Sequence, residues 1–142
     1  MKSYTYDELQ IGQTASVSKT IGEHDVYAYA GITGDLNPAH VNAVYAEEAF
    51  FKERVVHGML VAGFISTVFG MYMPGPGTIF LSNNVNFLAP VRFNDTITVT
   101  CEIVEKLEKG NVKIKSEVIN QNNEIVMTGE SLVKIPRAKV IK

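Results

Sequence analysis

The spacing of apolar and polar positions changes near the middle of the chain, from helical recurrence in the first half to strand-like alternation in the second. A short strand is expected at positions 14–21. Positions 23–30 carry Val26, Tyr27 and Ala30 at helical spacing, and that helix is expected to end at Gly31 or Gly34. A second helix is expected over 38–51, with Val41, Val44 and Tyr45 on one face. The charged residues that close it, Glu47, Glu48, Lys52, Glu53 and Arg54, read as a solvated face.

From 58 to 73 nearly every position is apolar or small, so a helix there has no polar side and is expected to be buried all round. Pro74-Gly75-Pro76-Gly77 stops it. Strand-like runs follow at 78–89, 96–107, 111–120 and 124–135, with turns at Asn94-Asp95, Lys109-Gly110 and Asn122-Asn123, spaced as in an antiparallel meander. An apolar helix followed by a long antiparallel sheet has one economical packing, in which the sheet curls around the helix. That arrangement is an α+β hot-dog fold, expected as a single domain over 1–142. It leaves edge strands and a partly apolar face to protect, for which dimerisation is the expected remedy.

Composition narrows the function classes. Thirteen basic and fifteen acidic side chains give a formal charge of −2 with no block of like charge, so neither nucleic acid nor a membrane surface is an expected partner. The N-terminus lacks an apolar leader, and no apolar run approaches the ~20 residues of a membrane helix. The lone Cys101, in an alternating run, has no internal disulfide partner, which fits a reducing compartment and a cytoplasmic protein. Dispersed histidines without zinc spacing, no dinucleotide or phosphate loop and no serine elbow lead to the expectation of no metal and no cofactor.

Candidate chemistry concentrates in Gly34-Asp35-Leu36-Asn37-Pro38-Ala39-His40. Asn37 suits an N-cap and Pro38 the first helical position, which puts His40 in the first turn, where the helix dipole favours a neutral, proton-accepting ring. Asp35, on the loop just upstream, can turn toward the same space and share a water with His40 as an acid/base pair. The plain alternative is a loop-fixing aspartate beside a solvated histidine. Gly58 falls at the start of the apolar helix, where backbone N–H groups lack acceptors and no side chain crowds an approaching oxygen; it is an oxyanion donor or an ordinary junction glycine. Ser66 lies eight residues on, ~12 Å along the helix, too far to serve the same atom; it supports the pair or bonds back to a carbonyl one turn earlier. His57 is read as orienting the loop through a backbone hydrogen bond and His24 as exposed; neither is assigned a catalytic task.

The run Tyr29-Ala30-Gly31-Ile32-Thr33-Gly34-Asp35-Leu36-Asn37-Pro38-Ala39-His40, then Val56-His57-Gly58-Met59-Leu60, and downstream Asn86-Phe87-Leu88-Ala89-Pro90-Val91, resembles the MaoC-like (R)-specific enoyl-CoA hydratases from about position 6 to 136. The resemblance implies that Asp35 and His40 activate a water for addition across the double bond of a trans-2-enoyl thioester, giving the (R)-3-hydroxyacyl product. It also implies that the Gly58 N–H meets the thioester carbonyl and that Ser66 supports the site. Asn37, Gly58 and Ser66 make up the expected substrate-binding set, and an acyl-CoA thioester the expected partner. A homodimer with a continuous sheet and acyl tunnels near its interface is likewise implied. Asn94-Asp95 replaces the family's usual Gly-Asp turn.

Three other readings stay open at this level. A dehydratase of acyl chains on acyl-carrier protein would need Lys52, Arg54, Arg92 and Lys109 gathered at the tunnel mouth. A hot-dog thioesterase is opposed by the Asp-x-Asn-Pro-x-His string, and a non-catalytic acyl-binding or structural subunit by the intact Asp35 and His40. Val61, Phe64, Ile65, Phe80 and Phe87 are candidate gates for the acyl chain, and the bulk of Phe64 and Phe69 points to short chains.

Overall fold

The alternation in the second half of the chain becomes the inner face of one antiparallel sheet. A computed structural model describes residues 2–136. Its elements are β1 (Thr14–Thr20), α1 (Glu23–Thr33), α2 (Pro38–Val41), α3 (Ala43–Glu48), α4 (Gly58–Met71), β2 (Ile79–Phe87), β3 (Thr96–Lys106), β4 (Asn111–Ile119) and β5 (Ile125–Lys134). The strands run in the order β1-β3-β4-β5-β2, every pair antiparallel.

Ile97, Val99, Cys101 and Ile103 of β3 and Val112, Ile114 and Val118 of β4 are buried at alternate positions, as the period of a strand requires. They meet Val61, Ile65, Val68 and Phe69 of α4, so the sheet does curl around this helix. The tight turns are where the chain's Asn, Lys and Gly residues allow them. Lys109 and Gly110 take positive φ between β3 and β4, and the Asn120 side-chain oxygen accepts the N–H groups of Asn122 and Glu124 ahead of β5. Cys101 is fully buried 3.3 Å from the Ser116 hydroxyl. Burial pushes its thiol up to about 11, the Ser116 hydrogen bond opposing only part of that.

Three expectations fail for physical reasons. The helix expected over 38–51 is broken at Asn42, whose extended backbone ends α2 while its side chain caps α3 by accepting the Tyr45 N–H at 3.0 Å. An asparagine that can bond its own backbone competes with helix continuation. Val44 and Tyr45 consequently stay exposed, and only Ala46 of α3 is buried. The four-strand meander is a three-strand one, β3-β4-β5, because β2 pairs with β5 instead of β3. Asn94-Asp95 is therefore not a hairpin turn. It closes a long connection that bonds back to Ile21 through the Asn94 N–H and the Asp95 carbonyl. Finally, α4 is not buried all round, since Met59, Gly63, Ser66 and Met71 form an exposed stripe that no second layer among the described residues covers.

Candidate active site

The loop between α1 and α2 is built from its own side chains. Gly34 ends α1 in the left-handed region at φ 78°, where a glycine carries no steric penalty. The Asp35 N–H donates to the Thr33 hydroxyl at 3.2 Å, and the Asp35 carboxylate accepts the Asn37 N–H at 3.2 Å. Asn37 caps α2 by accepting the Ala39 N–H at 3.1 Å, as its residue type predicts. That bond commits the Asn37 oxygen to the helix.

A second segment, residues 55–57, pins this loop. The Val55 N–H donates to the Ala39 carbonyl at 3.2 Å, and the Val55 carbonyl accepts from His40 Nδ1 at 2.7 Å. A carbonyl only accepts, so Nδ1 carries a proton, and in the neutral ring the lone pair is left on Nε2. The Val55 carbonyl thus fixes the ring, since α2 spans only four residues and has little macrodipole to contribute. His57 Nε2 bonds the Asp35 carbonyl at 3.0 Å, which is the loop-orienting backbone bond expected of it. Its ring also stacks on His40, with centroids 3.8 Å apart, and lies 4.8 Å from Tyr29. Neither stack has a signature in residue spacing, because the rings come from separate elements.

One nitrogen or oxygen from each of Asp35, His40 and His57 lies within 4.8 Å of the others. The Asp35 side chain is 52% exposed, whereas His57 is 2% exposed. His57 Nε2 is already committed to the Asp35 carbonyl at 3.0 Å, and the His57 ring lies against the His40 ring at an interplanar angle of 31°. This set is suited to holding a water between Asp35 and His40 more than to converging on a metal ion.

Gly58 is the first residue of α4, with His57 at the N-cap and no side chain capping the end. The Leu60 and Val61 N–H groups take the His57 carbonyl, while those of Gly58 and Met59 have no acceptor among the described residues. Here, then, are two free donors at the positive end of a 14-residue helix. A Cβ on Gly58 would stand 2.8 Å from the Phe87 ring, so only glycine lets that ring lie against the helix start.

His40 and Gly58 open on the same cavity of about 420 Å³, walled by Phe51, Met59, Phe87, Leu88 and Met127 among others. Of the candidate gates, Val61 and Phe87 line it; Phe64, Ile65 and Phe80 do not, and neither does Phe69. Asp35 is not part of the lining, so His40 is the member of the pair that faces the cavity. Ser66 lies on the exposed stripe of α4, with no hydrogen bond to Asp35 or His40 among the described residues. Phe51 and Met59 went unforeseen as lining because only the pairing of residues 55–56 with 91–92 brings their segments around one space. That pairing also sets two cations beside the cavity, each matched by an acid. Arg54 bonds Glu23 and the Tyr27 hydroxyl, the Glu23 carboxylate raising its pKa, and Arg92 is paired with Glu53. Lys109 lies away from them, in the β3–β4 turn.

Known proteins resemble this chain in sequence and in fold. The family model for the MaoC like domain matches residues 8–127. An (R)-specific enoyl-CoA hydratase of Rhodospirillum rubrum is 41% identical over 131 residues, 92% of this chain and 91% of that protein. A 3-hydroxybutyryl-CoA dehydratase of Methylorubrum extorquens is 37% identical, over 93% of this chain and 84% of its own length. Among solved structures, the unliganded R-hydratase PhaJ1 of Pseudomonas aeruginosa aligns with a TM-score of 0.90 at 37% identity, covering 99% of this chain and 93% of that one. With its sheet wrapped on α4 and its loop 34–40 set against residues 55–58, the chain belongs to the MaoC-like domain family and has its hot-dog fold.

Proposed function

We propose that the chain is a hydro-lyase that adds water to trans-2-enoyl-CoA to give (R)-3-hydroxyacyl-CoA, and catalyses the reverse dehydration. One observation carries this reading: His40, held through Nδ1 by the Val55 carbonyl, and the free Gly58 N–H face the same apolar cavity, with the Asp35 carboxylate beside the histidine. Hydrolases of the same fold would need water at the carbonyl carbon; here the carbonyl oxygen takes the helix end and the proton acceptor is left for C3.

In this mechanism a water held between Asp35 and His40 gives a proton to Nε2 as its oxygen bonds to C3. The electrons of the double bond move onto the thioester oxygen, where the Gly58 N–H and the α4 dipole meet the developing charge. As the electrons return from the thioester oxygen to C2, the proton held on Nε2 is delivered to that carbon, so the enzyme ends as it began. Asn37 serves by capping α2 and so placing His40, while Ser66, on the exposed stripe, takes part only where a second copy covers α4.

The acyl chain occupies the cavity, and Phe87 over Gly58 together with Phe51 favours short chains; the related 3-hydroxybutyryl-CoA dehydratase supports that choice. Arg54 and Arg92, tied to Glu23 and Glu53, do not make the free basic patch that docking of an acyl-carrier protein would require, which favours CoA. A cytoplasmic location for the enzyme belongs to the same reading. Its single cysteine is buried and unpaired, and no helix among the described residues is long and apolar enough to cross a membrane.

It acts as a homodimer. β2 is an edge strand with Ile79, Leu81 and Phe87 exposed, and the bare stripe of α4 is also unpaired. Pairing β2 with its symmetry mate extends the sheet and covers these groups. Phe87 and Leu88 carry the strand's end into the cavity wall, so assembly and activity are linked. Sedimentation should give a dimer, and Leu81→Lys should shift it toward monomer with a parallel loss of turnover. A fully active monomer would contradict the assembly.

Crotonyl-CoA should lose its enoyl absorbance without releasing a thiol, and the product should be the (R)-3-hydroxy thioester. Cys101 is too enclosed to react with the thiol reagent, so any signal reports free CoA. Asp35→Asn and His40→Gln should each lower kcat by at least ~10²-fold with KM little changed. Near-normal turnover in either would remove that residue from the mechanism.

Gly58→Ala keeps the amide but drives a methyl into the Phe87 ring. The clash is with side-chain atoms of Phe87 and not with backbone, so the ring can give way and the fold should survive. Turnover per bound substrate should drop by ~10²-fold, the scale of a lost oxyanion donor, while the melting temperature changes little. Adding Phe87→Leu should recover part of the loss. A Gly58→Ala protein that loses stability and keeps its turnover would make Gly58 a junction residue only.

A further inference from the structure

His57 is 2% exposed and yet leaves a polar atom unsatisfied. Its Nε2 bonds the Asp35 carbonyl at 3.0 Å, but its Nδ1 is enclosed with no hydrogen-bond partner among the described residues. The proton must be on Nε2, because the carbonyl can only accept. Nδ1 is then a buried lone pair facing no donor, an arrangement that costs stability. An apolar ring of similar size would remove that cost, and with it the single bond to Asp35. The imidazole therefore has no packing advantage here.

Two other features converge on the same residue. The His57 ring presents its face to His40 at 3.8 Å, with Tyr29 against it at 4.8 Å. His40 can rotate about its bond to the Val55 carbonyl only by leaving that stack. The His57 backbone is also the N-cap of α4, its carbonyl accepting the Leu60 and Val61 N–H groups. One residue thus touches the Asp35 loop through its side chain, His40 through its ring face, and the Gly58 helix start through its backbone.

We infer that His57 is a positioning residue for hydration: it fixes the Asp35 carboxylate and His40 Nε2 relative to each other and to the Gly58 N–H. The inference rests on the reading of Asp35 and His40 as the pair that handles the water. His57 itself is walled off from the cavity and touches no reacting atom. What it supplies is orientation, and a misplacement of ~1 Å at such a site costs up to ~10²-fold in rate.

The test compares His57→Phe, which keeps a ring and removes the donor, with His57→Gln, whose amide N–H can occupy the place of Nε2. Turnover and KM on crotonyl-CoA are measured for both, for Asp35→Asn, and for Asp35→Asn combined with His57→Phe, each with a thermal melt. His57→Phe should lower kcat by roughly 10- to 100-fold with KM within about twofold. His57→Gln should recover most of that loss despite folding no better than His57→Phe. On the Asp35→Asn background His57→Phe should cost little more, since the pair that His57 aligns is already broken and His40 alone no longer holds the water. Wild-type turnover in a folded His57→Phe protein would overturn the inference. So would equal losses in His57→Phe and His57→Gln that multiply with the Asp35→Asn loss. If His57→Phe does not fold, His57→Gln alone decides, and a loss as deep as that of Asp35→Asn overturns it. Normal turnover in Asp35→Asn by itself would instead sink the catalytic pair, and the positioning role with it.

Discussion

The site depends on one short segment being trapped between two others. Residues 55–57 bond forward to Val91 through the Val56 N–H at 2.8 Å and backward to the 35–40 loop through Ala39, His40 and Asp35. Without that clamp, the loop keeps only its internal bonds, among them Thr33 to Asp35, Asp35 to Asn37 and Asn37 to Ala39. Those bonds shape a turn but cannot place it. The clamp aligns three things with separate origins in the chain: a carboxylate on a loop, an imidazole on a one-turn helix, and the N-terminus of the buried helix. Its position is in turn set by the sheet, because Val91 belongs to the connection that carries β2 into β3.

The same construction accounts for the polarity of the site. The cavity wall is apolar except where His40 and the start of α4 meet it, so the few polar groups act with little competing water. Fixed donors in such a place need no reorganisation as charge develops on the thioester oxygen. Arg54 and Arg92, neighbours in the chain of the lining residues Val55 and Val91, are each paired with an acid, Glu23 and Glu53.

Local chemistry was legible in the residues themselves. Gly34 at a positive φ, Asn37 capping a helix that opens with Pro38, Gly58 opening α4 and the alternating strands could each be read because their cause lies within a few neighbours. What escaped depends on distant partners. The pairing of β2 with β5 follows from packing across the whole sheet, and nothing at Asn94-Asp95 distinguishes a hairpin from the end of a longer connection. The break at Asn42 was a local signal overlooked beneath an apolar pattern that suggested one continuous helix. The bare stripe on α4 is different again: a helix apolar on every side reads as fully buried, yet the described residues cover only part of it. His57 was legible as a loop anchor, but its stack on His40 required knowing that residues 40 and 57 meet.

The central claim is that Asp35 and His40 act on a single water, and a double-mutant cycle addresses it most directly. Turnover of crotonyl-CoA is measured for the wild type, Asp35→Asn, His40→Gln and the double variant under one set of conditions. Groups that hold one molecule between them fail as a unit, so the double variant should be hardly slower than the slower single one. Losses that multiply in the double variant would mean that the two side chains act at separate points, and the shared water would have to be abandoned.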